Sequence, residues 1–252
     1  MINFLLPFSA NFGLGVILGF VGGVFGIGGG LIAIPTLIFL YGMDQQFAQG
    51  TALVMIAPNV LLGFWRYQQR NQIDKIPALL LVFSSIIATY LTATYATGLR
   101  SESLRLYFAI FLIILACIFL LGLRHHKVVK KPAIILHKKW LALLGILSGI
   151  CSGLFTIGGG LLVAPALTGL FNIKKQTTAQ GYALATVVPG AFIALLIYAF
   201  AGLVNWQVGI PLAAGGIISI SWGVSLAHSL PERKLKALFS GLLFLTAMTL
   251  LK

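Results

Sequence analysis

A glycine-rich passage occurs twice in this chain, and that duplication limits the possible fold more than any other feature. "GGVFGIGGGLIAIP" runs from Gly22 to Pro35 and "SGLFTIGGGLLVAP" from Ser152 to Pro165, with eight of fourteen positions identical at an offset of 130 residues. A second echo follows at an offset of 131, where "AQGTALVMIAP" (Ala48 to Pro58) returns as "AQGYALATVVP" (Ala179 to Pro189). The chain is thus two copies of one unit, 1–123 and 140–252, joined by a basic linker at 124–139. Paired Gly/Pro interruptions at corresponding places in two apolar halves are the mark of a transporter whose binding site lies at the repeat interface.

The setting is a membrane. Hydrophobic residues make up 59% of the 252 positions and charged residues 8%, against about 25% charged in an average soluble domain. Apolar runs recur five to a half, and most approach the roughly 20 residues that a span needs. The runs from Gly29 to Tyr41 and from Gly159 to Phe171 have only 13 residues, roughly 20 Å of helix. Each is expected to pair with the run before it as a helical hairpin broken at the glycines. A net charge of +13 would suggest nucleic acid in a soluble protein, but here the basic residues cluster at the ends of apolar runs, where they set orientation. No nucleic-acid partner is expected. The N-terminus has no basic n-region before the first repeat and is not expected to be a removed signal peptide. Cys117 and Cys151 lie within apolar runs and are expected to pack in the interior rather than to form a disulfide or hold a metal.

Charge also fixes a topology. The basic linker should be cytoplasmic by the positive-inside rule, and counting crossings from it places fourteen of the seventeen Lys and Arg inside, with Arg100, Arg105 and Lys252 outside. Equivalent loops carry opposite bias: "YGMDQQF" has no Lys or Arg while its counterpart "FNIKKQ" has two, and "RYQQRNQIDK" has three while "FAGLVNWQ" has none. The expected fold is an all-α polytopic membrane protein of two inverted-topology repeats, each a glycine-broken hairpin plus three transmembrane helices. Parallel repeats would demand matching charge on equivalent loops.

Irregular backbone at membrane depth is tolerated only inside protein or along a water-filled cavity. The helix that starts at each glycine run has N–H groups with no intrahelical partner, and its dipole adds about half a positive charge there. Gly28, Gly29 and Gly30, with Gly158, Gly159 and Gly160, are therefore candidates to hold an anionic oxygen. Close helix packing is the competing reading of the same glycines. Polar side chains on the following helix are the next candidates: Gln49, Thr51 and Asn59 in one half, and Gln180, Tyr182 and Thr186 in the other. The two glutamines have an equally good alternative role as caps near the membrane surface. Pro58 and Pro189 interrupt these helices and suggest a kink.

The four acids, Asp44, Asp74, Glu102 and Glu232, fall in loops or at helix ends, so no embedded carboxylate offers a proton relay or sodium ligand. No nucleophile-base pair, metal-ligand spacing or cofactor motif is present, and the chain is not expected to be an enzyme.

The doubled glycine passage with its trailing proline, the two "AQG" segments and the basic central linker resemble the TauE/SafE family of sulfite and organosulfonate exporters, over nearly the whole chain. The resemblance implies a multi-pass permease of a bacterial or archaeal inner membrane that exports small sulfur-containing anions such as sulfite or sulfoacetate. An anion channel, or an importer of another oxyanion such as sulfate or thiosulfate, stays open. Thr156 stands where the first copy has Gly26, which makes the two glycine turns unequal.

Overall fold

The computed structural model describes residues 7–25, 28–70, 74–124, 138–156, 159–169, 176–229 and 232–250. Every regular element among them is a helix. The first half holds α1 (Phe8–Phe25), α2 (Gly30–Tyr41), α3 (Gln45–Arg70), α4 (Lys75–Thr97) and α5 (Ser101–Arg124). The second holds α6 (Lys138–Phe155), α7 (Gly160–Gly169), α8 (Gln176–Phe200), α9 (Trp206–Ser229) and α10 (Glu232–Leu250). By length and composition six of these, α1, α3, α4, α5, α8 and α9, are apolar enough to cross a membrane. The linker lies, apart from its ends, outside the described residues.

The break between α1 and α2 follows from glycine. Gly28 and Gly29 adopt φ of 68° and 89°, a left-handed backbone open to glycine at little steric cost, so the helix stops there and the chain reverses. The Tyr41 hydroxyl at the end of α2 donates to Asn11 Oδ1 near the start of α1, and the hairpin therefore returns to the side it came from. The 12 residues of α2 span about 18 Å and the 26 of α3 about 39 Å, which puts the glycine turn near mid-depth. In the second half Thr156 takes the left-handed conformation, with φ of 55°. The Gly159 N–H then donates to the Ser152 hydroxyl at 2.8 Å.

The first helix of each half packs against the fourth helix of the other. Gly15, Gly19 and Gly23 recur every fourth residue on α1 and meet Leu212, Gly216 and Ile220 of α9 in rising order, so the two run parallel. On α6, Gly145, Gly149 and Gly153 meet Leu81, Ser85 and Thr89 of α4 in the same sense. Small residues at this spacing let helix backbones approach closely. Counterparts in the two copies run antiparallel: Gly50 near the start of α3 meets Tyr198 at the end of α8 and Leu203 just beyond it, while Gly63 meets Leu184. Arg105 Nε, early in α5, donates to the Leu250 carbonyl at the end of α10 at 2.5 Å.

These pairings sort the helix ends. One end of the bundle gathers the start of α1, the α2–α3 loop, the α4–α5 turn, the α8–α9 turn and the end of α10; among the described residues its basic side chains are Arg100 and Arg105. The other gathers the ends of α3, α5 and α9 with the starts of α4, α6, α8 and α10, and so carries Arg66, Arg70, Lys75, Arg124, Lys138, Lys139, Arg233, Lys234 and Lys236. Around the perimeter, Phe83, Ile87, Tyr90 and Leu91 of α4 and Ile110, Ile114 and Ile118 of α5 are exposed, an apolar belt that water would not tolerate and lipid does. Cys117 belongs to that outer surface rather than to the interior expected of it, and both cysteines are free. The opposite case is α3, mostly buried at the centre.

In a background with Cys117 and Cys151 replaced by Ala, cysteines at the exposed positions Asp44 and Gly202 should react with an impermeant thiol reagent from one face of the membrane. A cysteine at Gln69 should react from the opposite face; labelling of Asp44→Cys and Gly202→Cys from different faces would contradict this arrangement. The helix seam gives a second test. A Cβ on Gly15 would run into the Leu212 backbone, whereas one on Gly13 meets nothing within 4 Å. Alanine favours a helix over glycine by up to about 1 kcal/mol, but overpacking against backbone that cannot yield costs about 1–3 kcal/mol. Gly15→Ala should therefore lower the thermal unfolding midpoint in detergent, and Gly13→Ala should leave it unchanged or raise it.

Candidate functional site

The two glycine turns meet in the interior. A Cβ on Gly30 would stand 3.7 Å from the Thr156 carbonyl oxygen of the second turn, and Gly28, Gly29, Gly30 and Gly159 are all buried, with Gly160 half-buried. Gly158 lies outside the described residues. No side chain caps α2 at Gly29. The Gly29 carbonyl accepts from the N–H groups of Ile32 and Ala33, which leaves those of Gly30 and Leu31 without an intrahelical acceptor. In the second turn the Gly159 carbonyl serves Leu162 and Val163 in the same way, and among the described residues the N–H groups of Gly160 and Leu161 have no intrahelical acceptor. Every Lys, Arg, Asp and Glu of the described helices lies near a helix end. Among the described residues, backbone and helix dipoles rather than charged side chains are therefore the sources of positive potential at the centre.

Asn59 stands beside this junction. It is fully buried, its Nδ2 lies 3.5 Å from the Gly28 carbonyl, and its Oδ1 has no partner among the described residues. Thr186 lies level with the second turn, since the neighbouring Ala183 and Val187 flank Gly160, but its hydroxyl donates to the Tyr182 carbonyl of its own helix at 2.9 Å. The other side chains singled out from the sequence are not brought to the turns. Gln49 Oε1 accepts from the Tyr198 hydroxyl at 2.7 Å, and Thr51 Oγ1 accepts from the Asn205 N–H at 3.0 Å. The first joins the start of α3 to the end of α8 and the second joins it to the α8–α9 turn, about 12–15 Å along the helix from Asn59. At the opposite end the Tyr182 hydroxyl accepts from the Asp74 N–H at 2.8 Å, and Gln180 sits half-buried two residues earlier.

Several buried hydroxyls close to the turns were not picked out from the sequence. Ser148 and Ser152 of α6 touch Gly159, and Thr89 of α4 donates to the Gly149 carbonyl at 3.2 Å. Aligning the copies at an offset of 130 exposes the first two, because Ser148 and Ser152 stand where the first copy has Leu18 and Gly22. The glycines of the turns are also packed tightly. A Cβ on Gly29 would lie 2.8 Å from the Leu18 carbonyl oxygen, and one on Gly159 would strike Ser148. Close packing and open N–H groups are thus properties of the same residues, so bulky substitutions there test the fold before they test binding.

At the end that carries Arg100 and Arg105, a separate pocket of about 410 Å³ is lined by residues that include Ile38, Asp44, Gln45 and both arginines. The length of α2 separates it from the turns.

Comparison with known proteins follows the same pattern along nearly the whole chain. A probable membrane transporter protein of Xylella fastidiosa (strain Temecula1) is 27% identical over 230 residues, 88% of this chain and 85% of that protein. One of Methanocaldococcus jannaschii is 26% identical over 255 residues, covering 96% of this chain and 94% of its own length. The probable membrane transporter protein YunE of Bacillus subtilis is 25% identical over 242 residues, with 87% and 88% covered. No solved structure matches. The model of the sulfite exporter TauE/SafE family matches residues 11–250, which takes in both glycine turns and all but the first turn of α1, and the chain belongs to that family of multi-pass membrane transporters.

Proposed function

We propose that the protein exports small sulfur-containing oxyanions, sulfite or organosulfonates, from a site between the two glycine turns. The observation that carries this reading is the meeting of two helix N-termini at mid-depth, that of α2 without a side-chain cap, away from every charged side chain of the described helices. Such a junction attracts an anion through N–H groups and dipoles, yet holds no fixed positive charge that would retain it. Substrate specificity for sulfur oxyanions rests on the family.

Export follows from orientation. The end with the dense Arg and Lys is cytoplasmic on the positive-inside rule, and the end with Arg100 and Arg105 is external. The antiparallel runs of α3 with α8 and of α5 with α10 support reading 1–123 and 140–252 as inverted repeats around the basic linker 124–139, the architecture that permits alternating access by rocking. An inside-negative potential drives each negative charge outward with about 2.3 kcal/mol per 100 mV, so a dianion leaves downhill with roughly 4.6 kcal/mol at that voltage. No proton or sodium ion need travel with it.

In proteoliposomes of the purified protein, labelled sulfite should move in a saturable manner, and an imposed potential should drive it toward the positive side. Flux that never saturates would instead favour a channel. Loss of a hydrogen bond to a charged group is worth about 1.5–3 kcal/mol, so Asn59→Ala should raise the half-saturating sulfite concentration roughly 10-fold or more, while Gln49→Ala, at the end of the bundle, should not. Parent-like transport by Asn59→Ala would remove Asn59 from the site. Failure of the parent to carry sulfite, sulfoacetate, sulfate and thiosulfate alike would overturn the proposed function.

A further inference from the structure

We infer that the two glycine turns hold the substrate unequally, and that the Ser148 and Ser152 hydroxyls of α6 contact its oxygens at the second turn. The inference rests on the central site proposed above. Ser148 is fully buried, its Oγ has no hydrogen-bond partner among the described residues, and a Cβ on Gly159 would run into that same oxygen. The unpaired hydroxyl therefore faces the turn. Ser152 follows one helical turn later on the same face of α6. It is 3% exposed, and its Oγ accepts the Gly159 N–H, while its own proton has no acceptor among the described residues. Thr89 closes the far side, since the space a Cβ would take on Gly190 lies 3.2 Å from Thr89 Oγ1 and 3.8 Å from Ser152 Cβ.

The first turn lacks this lining. Leu18, Gly22 and Ile220 occupy the positions that correspond to Ser148, Ser152 and Thr89, and the side chains nearest Gly28, Gly29 and Gly30 are Val60, Ile56 and Met55. A hydroxyl buried without a partner in a membrane interior is unfavourable unless a ligand supplies the acceptor. At the second turn the donors arrive from two directions, the N–H groups of Gly160 and Leu161 along the axis of α7 and the hydroxyls from the flank of α6. That arrangement suits an anion whose oxygens diverge from one central atom, such as the pyramidal sulfite or the tetrahedral sulfonate group. A halide presents no such set of oxygens.

The test uses the full-length protein in detergent, with sodium sulfite titrated against thermal unfolding. Ser148→Ala should raise the sulfite concentration needed for half-maximal stabilisation about 10-fold or more. Its unfolding temperature without sulfite should hold or rise, because a buried unpaired hydroxyl has been removed. Ser219→Ala is the control, since that hydroxyl already donates to the Gly216 carbonyl at 3.3 Å and should shift half-saturation less than 2-fold. If the parent binds sulfite and Ser148→Ala binds it equally well, the unequal site is wrong while the central site stands. A Ser148→Ala protein that is destabilised without ligand by as much as it loses affinity would show a structural hydroxyl and overturn the inference. A parent that binds none of sulfite, sulfonate, sulfate or thiosulfate would overturn both readings.

Discussion

A polypeptide inside a bilayer must satisfy its backbone N–H and C=O groups without water, and a continuous helix is the simplest way to do so. Among the described residues this protein departs from that solution at Gly28 and Gly29 and again at Thr156 and Gly159, and the surrounding bundle shelters both places. The turns sit where α3 and α8 shield them, with Ile56 and Val60 over the first and Ala183 and Val187 over the second. Among the described residues the first N–H groups of α2 and α7 have no intrahelical acceptor, at a depth where water is scarce.

Shelter of that kind depends on how the halves are interlocked. Because α1 packs on α9 and α6 on α4, each glycine hairpin is held by the opposite half, through seams where glycine faces backbone. The contact distance at those seams leaves no room for a methyl group at Gly15, Gly23 or Gly149, so neither hairpin can shift without carrying a helix of the other half with it. The arrangement couples the two turns mechanically, since motion of α9 or α4 relative to the central pair α3 and α8 must move the turn attached to it. It also lets symmetry coexist with chemical difference. The copies keep the same packing scheme while Leu18 and Gly22 give way to Ser148 and Ser152.

Much of this was legible in the sequence. The apolar runs, five to a half, correspond to the ten helices of the described residues, since a segment in lipid has to satisfy its backbone internally and is therefore helical. The glycine breaks were visible because three consecutive glycines have no place inside a spanning helix, and charge at the helix ends already separated one face from the other. The repeat of Gly15, Gly19, Gly23 and of Gly145, Gly149, Gly153 was equally present as a spacing of four, but spacing alone does not name the partner helix.

What tertiary structure decided is the identity of neighbours. Membership of one helix put Gln49, Thr51 and Asn59 together in the sequence, yet a rise of 1.5 Å per residue separates the first two from the third by about half the membrane. Gln49 and Thr51 are drawn to Tyr198 and Asn205 at one end, and Asn59 alone reaches Gly28. Ser148 has the opposite history: nothing in its local sequence distinguishes it from an ordinary small residue in a spanning helix, and only the fold of α7 back against α6 brings Gly159 onto its hydroxyl. Local sequence determines what each segment must be in a bilayer, because lipid imposes that segment by segment. Which polar atoms end up facing one another depends on contacts between residues far apart in the chain, and those exist only once the two halves have closed on each other.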